Sequence, residues 1–385
     1  MELSKKIDVK MIPIIEPQVH LGKNFSLERA DALAARVGLE GFLLTEKKFG
    51  KPFLKQTSNC SMAVYSRVTI AGSKVATVRR LLAKVRKSFD VVAVQTAEAK
   101  VAHWVAKDNR VDILSMPPSS MKELLTKQLT NVAAQIPLFF EIDLKPFLEE
   151  KAPPEVNSIY LRQISRALNI LLRERAPFIF TLNVGEPFAF KDARSIISFA
   201  KVLGIPYLSL KENYLKFKER LERNRKRLTE GFVAPGIWKV PAEEKKYLPK
   251  KQKETVENTF VLLEELKPQS LNEKRLERQR YLLFEIISEK EFELSEKELM
   301  NIFWSKFQKL FGEINSSRAG IYLSYYSAEK RVGILRTTHK MVDPVRATLL
   351  TIGALKTEKV IVNVLKISGT ISNLLATAKQ KSTSN

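Results

Sequence analysis

The sequence is poor in the residues that build metal sites and covalent staples. It holds one cysteine, Cys60, so an internal disulfide framework and a cysteine zinc cluster are both excluded. The three histidines, His20, His103 and His339, are too few for a histidine-rich dinuclear or trinuclear centre, and no H-x-H, HExxH or paired Asp-x-Asp pattern occurs. The glycine-rich nucleotide loops GxGxxG and GxxxxGK[ST] are missing as well. Long apolar runs are absent: Ala347 to Leu355 falls far short of the roughly 18 to 20 residues that span a bilayer. The opening MELSKKIDVKMIPII is broken by Asp8 and Lys10, which a signal-peptide core does not tolerate. Neither a lipidation signal nor a membrane-lying amphipathic helix is evident. The expectation is a cytoplasmic protein that takes no membrane as partner.

What the chain has is positive charge. Its 385 residues carry 65 Lys and Arg against 42 Asp and Glu, a net of +23, with 44% hydrophobic residues. That composition supports two or three globular domains and makes nucleic acid the first candidate partner. The charge is unevenly spread. Lys47 to Phe89 contains eleven basic residues and no Asp or Glu. Within it Val78, Leu81, Leu82 and Val85 form an apolar stripe at helical spacing, which places Arg80, Lys84 and Lys87 together on the opposite side. Such a row faces phosphates or simply solvates a helix; missing carboxylates favour the first reading. A second stripe, Lys216, Arg220, Arg223 and Arg227, is accompanied by Glu219 and Glu222, so helix salt bridges account for it as well as nucleic acid does. Near the C-terminus, Arg318 to Asn385 carries a net of +8, whereas Tyr281 to Ser317 carries −3.

Up to about residue 240, short apolar runs alternate with segments of 3.6-residue period. The candidate strands are Ile7 to Ile12, Gly41 to Glu46, Arg67 to Ala71, Val91 to Thr96, Val111 to Met116, Pro137 to Ile142, Phe178 to Val184 and Ile205 to Leu210. Their nearly continuous apolar character fits parallel strands buried on both faces. Eight strand-helix repeats predict a closed α/β TIM-like (β/α)₈ barrel, with a doubly wound open sheet as the alternative. From Lys239 to Gln279 the composition turns to Lys, Glu, Pro and Gln, a charged linker with a short helix at Val256 to Leu266. Beyond it, the order of elements is β-α-β-β-α-β, an α+β ferredoxin-like arrangement. Its strands are Tyr281 to Ile287, Ile321 to Tyr326, Gly333 to Thr338 and Val360 to Lys366. Its first helix opens on a Ser295/Glu298 capping box and closes at Gly312, its second spans Val342 to Ile352, and a helix at Ile371 to Ala378 follows. The domains are therefore 1–240, the linker 241–278, 279–379, and a disordered tail 380–385.

A barrel invites a search for catalysis at the C-terminal ends of its strands. Glu141 and Asp143 end the sixth strand, Glu186 follows the seventh, Asp8 lies in the first, and only His20 sits near a mouth. Cys60 carries no nucleophile signature. No catalytic or metal-ligating set is assigned.

Two groups of motifs resemble known families. GFLLTEK (41–47), VVAVQTAEAKVAHWVAKDNRVDILSMP (91–117) and GFVAPGIWKV (231–240) resemble archaeal and eukaryotic ribonuclease P protein component 3. That resemblance implies a barrel related to the polymerase and histidinol phosphatase (PHP) metallohydrolases but without their metal ligands; the relatives' H-x-H falls on Asp8-Val9-Lys10. RQRYLLFEII (278–287), LFGE (310–313), VGILRTTHKMVDPVRATLLTIGAL (332–355) and KISGTI (366–371) resemble ribonuclease P protein component 2, whose α+β domain is RRM-like. The two, ordinarily separate chains, are fused here.

The resemblance implies a protein subunit of ribonuclease P, the endonuclease that removes the 5′ leader from precursor tRNA. Its catalyst is an RNA working with Mg²⁺, so the polypeptide binds no cofactor of its own. Implied partners are the ribonuclease P RNA, precursor tRNA, other ribonuclease P proteins and a second copy, as a homodimer through the C-terminal domain. The expected RNA contacts are Arg80, Lys84, Lys87, Arg220, Arg223 and Arg227 in the barrel, and Arg318, Arg336, Lys340 and Arg346 beyond it. Arg346 has an alternative partner in Asp343 or a helix terminus. Tyr322, Tyr325 and Tyr326 stack on bases or pack in a core or dimer, and the absence of the RRM signature KGFGFVxF favours packing. Two other classes compete: a barrel metallohydrolase fused to an RNA-binding module, and a general RNA-binding scaffold.

Overall fold

A computed structural model describes residues 12–46, 60–136, 138–148, 154–228, 232–234, 237–238 and 278–374. The chain divides into two compact units. The first takes its described residues from 1–145, 158–187 and 204–229, the second from 146–157, 188–203 and 230–385.

The first unit is a TIM-like barrel. Seven parallel strands follow one another in sequence order: β1 (Ile15–Val19), β2 (Gly41–Glu46), β3 (Ala63–Ala71), β4 (Val91–Gln95), β5 (Ile113–Ser115), β6 (Phe139–Asp143) and β7 (Phe178–Thr181). The helices up to β7 are α1 (Leu27–Arg36), α2 (Val75–Val85), α3 (Ala99–Val105), α4 (Pro118–Leu124), α5 (Lys127–Gln135), α6 (Lys145–Leu148) and α7 (Pro154–Arg173); α8 (Ala193–Val202) and α9 (Tyr207–Leu228) follow it. By contacts α8 belongs to the second unit and α9 to the first.

The sheet comes round on itself at β1 and β7. The Val184 N–H donates to the Gln18 carbonyl (2.8 Å), and the His20 N–H donates to the Val184 carbonyl (2.7 Å). Beside this bridge the Glu16 carboxylate substitutes for ladder bonds, accepting from the Leu182 N–H (3.1 Å) and the Thr181 hydroxyl (2.6 Å).

Two expected strands differ. Residues 7–11 lie outside the described residues, and the first described strand begins at Ile15. The segment Ile205 to Leu210 is not a strand, because α9 starts at Tyr207. Its short apolar run leads into Leu210, Tyr214, Phe217 and Leu221, all buried, and that spacing is helical. Phe217 and Leu221 then join Ile15, Leu43, Tyr65, Val91, Ile113, Phe139 and Ile179 in one cluster inside the barrel. Those strand residues lie in the first halves of their strands, so α9 stoppers the N-terminal mouth.

In the second unit a small hairpin, β8 (Phe232–Ala234) with β9 (Ile237–Trp238), precedes an antiparallel sheet. The order is β11-β12-β10-β14-β13, built from β10 (Gln279–Ser288), β11 (Tyr322–Ser327), β12 (Val332–Thr338), β13 (Ala354–Leu355) and β14 (Glu358–Ser368). Together with α10 (Glu296–Ala319) and α11 (Val342–Leu350) this is the expected ferredoxin-like order. Ser295 and Glu298 form the capping box: the Ser295 hydroxyl accepts from the Glu298 N–H (3.3 Å), and the Glu298 carboxylate accepts from the Ser295 N–H (2.9 Å). Gly312 does not end the helix. It adopts φ 73°, ψ 173° and kinks it, and the helix resumes to close on the left-handed Gly320.

The helix-facing core gathers Leu282, Phe284, Phe303, Phe307, Leu335 and Leu349, among others. Gly333 is required there, since an added Cβ would lie 2.5 Å from the Phe284 ring. The opposite face of the sheet carries Leu283, Val332 and Ile334, with Leu374 packed on them and Tyr281, Tyr325, Leu365 and Ile371 at the margin. The linker 241–277, its expected helix, and residues 375–385 lie outside the described residues.

Candidate nucleic-acid interface

Helix α2 buries Val78, Leu82 and Val85 and exposes Arg79, Arg80 and Lys84; Lys87, also exposed, lies in the turn just after the helix. At about 1.5 Å rise per residue, Lys84 stands roughly 6 Å along the axis from Arg80. Among the described residues no carboxylate pairs with Arg80, Lys84 or Lys87, so solvent and salt alone screen their field. The upstream lysines of the acid-free stretch, Lys47, Lys48, Lys51 and Lys55, lie outside the described residues.

The α9 stripe separates into two kinds of arginine. Arg223 and Arg227 are exposed. Arg220 is not a surface residue, and its assignment as an RNA contact is corrected. Only 4% exposed, it donates through Nε to Asp112 (2.7 Å) and through Nη2 to the Asn109 carbonyl (2.7 Å). Asp112 directly precedes β5 and also accepts from Arg86 (2.6 Å), Asn224 (2.8 Å) and the Val92 N–H (2.9 Å). One buried carboxylate thus anchors two guanidinium groups. The excess positive charge is felt by Arg227, whose pKa is lowered by burial and then by Arg220 and Arg86. Arg86 is the residue that sequence reasoning missed, since its position in the acid-free stretch does not reveal Asp112 as its partner. Asp90, ahead of β4, likewise accepts from Arg225 (2.8 Å), whose guanidinium lies 4.3 Å from the centre of the Tyr65 ring. Lys216 pairs with Glu212 (2.7 Å), not with the glutamates downstream.

In the second unit Arg318 and Lys340 are exposed. Arg346 is buried at 9% exposure, 3.9 Å from the Asp192 carboxylate, and its assignment as an RNA contact is corrected too. Burial lowers its pKa, and Asp192 opposes that shift. Asp343, the alternative partner, instead meets the Ser198 hydroxyl (2.8 Å) and Lys201 (3.3 Å). Arg336 sits half-buried on β12, its guanidinium 5.2 Å from the Tyr322 ring centre. The tyrosines divide because Ser324 is an extra residue in the β11–β12 pairing. Tyr326 faces the helices, Tyr325 the opposite cluster, and Tyr322 is 59% exposed.

The barrel's carboxylates are committed elsewhere. Glu141 is held by Arg67 in a bidentate pair (2.5 and 2.8 Å), both side chains about 1% exposed, while Arg67 also donates to the Pro17 carbonyl (2.7 Å). Asp143 accepts from the Lys145 N–H (2.9 Å) and Asn183 (3.2 Å), and burial raises its pKa. Glu16 is pushed up to about 8 by burial. His20 hydrogen-bonds Gln18 (2.9 Å), and the Cys60 thiol is raised by burial and by Asp31 and Glu28, the opposite of an activated nucleophile. Asp8 lies outside the described residues. No group of three His, Cys, Asp or Glu residues suited to a metal ion occurs among the described residues, and none of their helices is long and apolar enough to cross a membrane.

Outward cations on α2 and α9 stand on a barrel whose inner glutamate is paired with an arginine, an arrangement suited to a polyanion rather than to hydrolysis at the barrel mouth. The family comparisons agree with that reading. The RNase P subunit p30 family model matches residues 30–227, and the Rpp14/Pop5 family model matches residues 280–379. The chain belongs to the RNase P subunit p30 family and carries an Rpp14/Pop5 family domain after it. Ribonuclease P protein component 3 of Methanosarcina barkeri is 23% identical over 220 residues, covering 56% of this chain and 90% of that protein. Ribonuclease P protein component 2 of Pyrococcus furiosus is 28% identical over 108 residues, covering 28% of this chain and 88% of that protein. A chain in the cryo-EM structure of archaeal ribonuclease P with mature tRNA shares the fold at TM-score 0.51 and 18% identity, covering 60% of this chain and all of that one.

Proposed function

We propose that this chain is a protein subunit of ribonuclease P that binds and stabilises the catalytic RNA and so promotes Mg²⁺-dependent removal of the 5′ leader from precursor tRNA. The observation that carries this reading is the set of exposed cations without a carboxylate partner among the described residues, Arg80 and Lys84 on α2 and Lys87 just beyond its end. Close-packed RNA phosphates repel one another, and fixed cations beside them replace part of the Mg²⁺ otherwise needed to hold the fold. Exposed Arg223, Arg227, Arg318 and Lys340 extend the same chemistry. Bond cleavage stays with the RNA and its Mg²⁺, because Glu141 is neutralised by Arg67. Fusing two modules that are similar to separate proteins makes their encounter intramolecular and raises their mutual effective concentration. The remaining partners in this reading are precursor tRNA, the other ribonuclease P proteins and a second copy bound through the C-terminal domain, in the cytoplasm.

The test is reconstitution of precursor tRNA cleavage by the cognate RNA at low Mg²⁺, with the other protein subunits and with or without this chain. Stimulation by the chain is expected. Equal rates with and without it, or RNA-free hydrolysis of phosphoesters that Glu141→Ala abolishes, would overturn the reading.

A further inference from the structure

The face of the C-terminal sheet opposite α10 and α11, beside the patch that Leu374 covers, carries a second kind of nucleic-acid chemistry, distinct from phosphate neutralisation. Strand register places Tyr322 of β11 beside Arg336 of β12, and Arg336 beside Tyr281 of β10, so the three form one row across three strands. All three point away from the helices: Leu323, Leu335 and Leu282, their chain neighbours, are in the helix-facing core. Tyr322 exposes 59% of its surface. Arg336 has no carboxylate partner among the described residues; its one contact is the Tyr322 ring, and its Nε is buried without an acceptor. Two residues on, Thr338 leaves its buried Oγ1 unpaired as well. The only acid of β10, Glu285, lies four residues from Tyr281 and is bonded by the Asn363 amide (2.9 Å).

We propose that Tyr322, Arg336 and Tyr281 form a stacking platform for an unpaired nucleobase of an RNA strand, with the half-buried Arg336 guanidinium supplying donors to its edge or phosphate. An exposed phenol beside a planar, unneutralised guanidinium offers the two flat faces on which bases stack. A second copy of the chain fits less well. A two-fold contact centred on this row sets Arg336 against its own equivalent, a like-charge pair. The inference rests on the RNA-binding reading above and adds a base-stacking subsite to it.

The experiment measures binding of the full chain to a fluorescent single-stranded RNA 12-mer and to a blunt RNA duplex of equal length. The proteins compared are wild type, Tyr322→Ala, Tyr322→Phe and Arg80→Gln/Lys84→Gln/Lys87→Gln, each also sized by sedimentation. Tyr322→Ala is expected to weaken the single strand about ten-fold or more, leaving duplex affinity and the salt slope unchanged. Tyr322→Phe should keep wild-type binding. Unchanged single-strand binding by Tyr322→Ala overturns the platform, as does equal weakening of both RNAs. A change of oligomeric state with RNA affinity intact assigns the face to protein and also overturns it. The triple variant separates the two layers: if it weakens both RNAs while Tyr322→Ala is silent, the RNA-binding reading stands and the platform falls. If wild type binds neither RNA, both fall.

Discussion

Replacing Arg80, Lys84 and Lys87 together with Gln removes three outward cations while keeping helix-compatible, exposed side chains. Each phosphate contact contributes a slope of roughly −0.7 to −0.9 in log affinity against log salt, so the triple variant should flatten the slope by about 2 to 3. Between 50 and 200 mM salt, these three contacts alone account for a wild-type loss of roughly 20- to 40-fold that the variant does not suffer. The apolar side of α2, with Val78, Leu82 and Val85 fully buried, is untouched. Folding stability should therefore shift by only about 0.5 kcal/mol per site or less. The assay is fluorescence anisotropy with the catalytic RNA at constant Mg²⁺ across that salt range, beside thermal melts of both proteins. A triple variant that melts like wild type and retains the wild-type salt slope would refute the assignment of α2 to phosphates.

Arg67→Met strands Glu141 inside the barrel and should cost about 3 to 5 kcal/mol in urea unfolding; adding Glu141→Leu should restore most of it, because two apolar side chains of similar size replace the pair. Glu16 binds a proton in the folded state up to about pH 8, whereas the unfolded chain releases it near 4.5. Between these values the folded state holds the extra proton, so stability falls as pH rises, by up to a few kcal/mol, and Glu16→Gln should flatten that part of the profile. Asp112→Ala leaves Arg86 and Arg220 without their shared carboxylate and should lower the melting temperature without loss of RNA affinity, checked by melts and anisotropy in parallel. Ser295→Ala removes the capping box at α10 and should cost about 1 kcal/mol in the same unfolding assay.

Local pattern carried the parts of the structure that local forces decide. The apolar spacing of Val78, Leu82 and Val85 is enough to orient Arg80 and Lys84, because the helix fixes side-chain direction regardless of what surrounds it; Lys87 falls in the turn that follows. The capping box at Ser295 is equally local. Where a short apolar run fits two periods, the longer window decides. Ile205 to Leu210 fits a strand by itself, but Leu210, Tyr214, Phe217 and Leu221 fit only a helix, and that helix fills the mouth an eighth strand would have helped to frame. Gly312 shows the same limit, since a glycine signals a break in helical geometry without saying whether the chain turns away or resumes.

Charge is where sequence reading overreaches most, for a physical reason. Arg220, Arg223 and Arg227 share a stripe, yet Arg220 is claimed by Asp112, 108 positions earlier, and Arg346 lies against Asp192. A buried carboxylate selects the nearest guanidinium because leaving either ion unpaired inside costs several kcal/mol, whereas a cation in water costs nothing. Arginines that face phosphates are consequently those the fold leaves unclaimed, and that condition is readable only after every buried acid has found its partner. In this barrel the buried acids Asp90, Asp112 and Glu141 take Arg225, Arg86, Arg220 and Arg67. An acid-free stretch such as Lys47 to Phe89 therefore still loses Arg67 and Arg86 to distant carboxylates, and Arg80, Lys84 and Lys87 are the proposed interface because neither Asp112 nor Glu141 holds them.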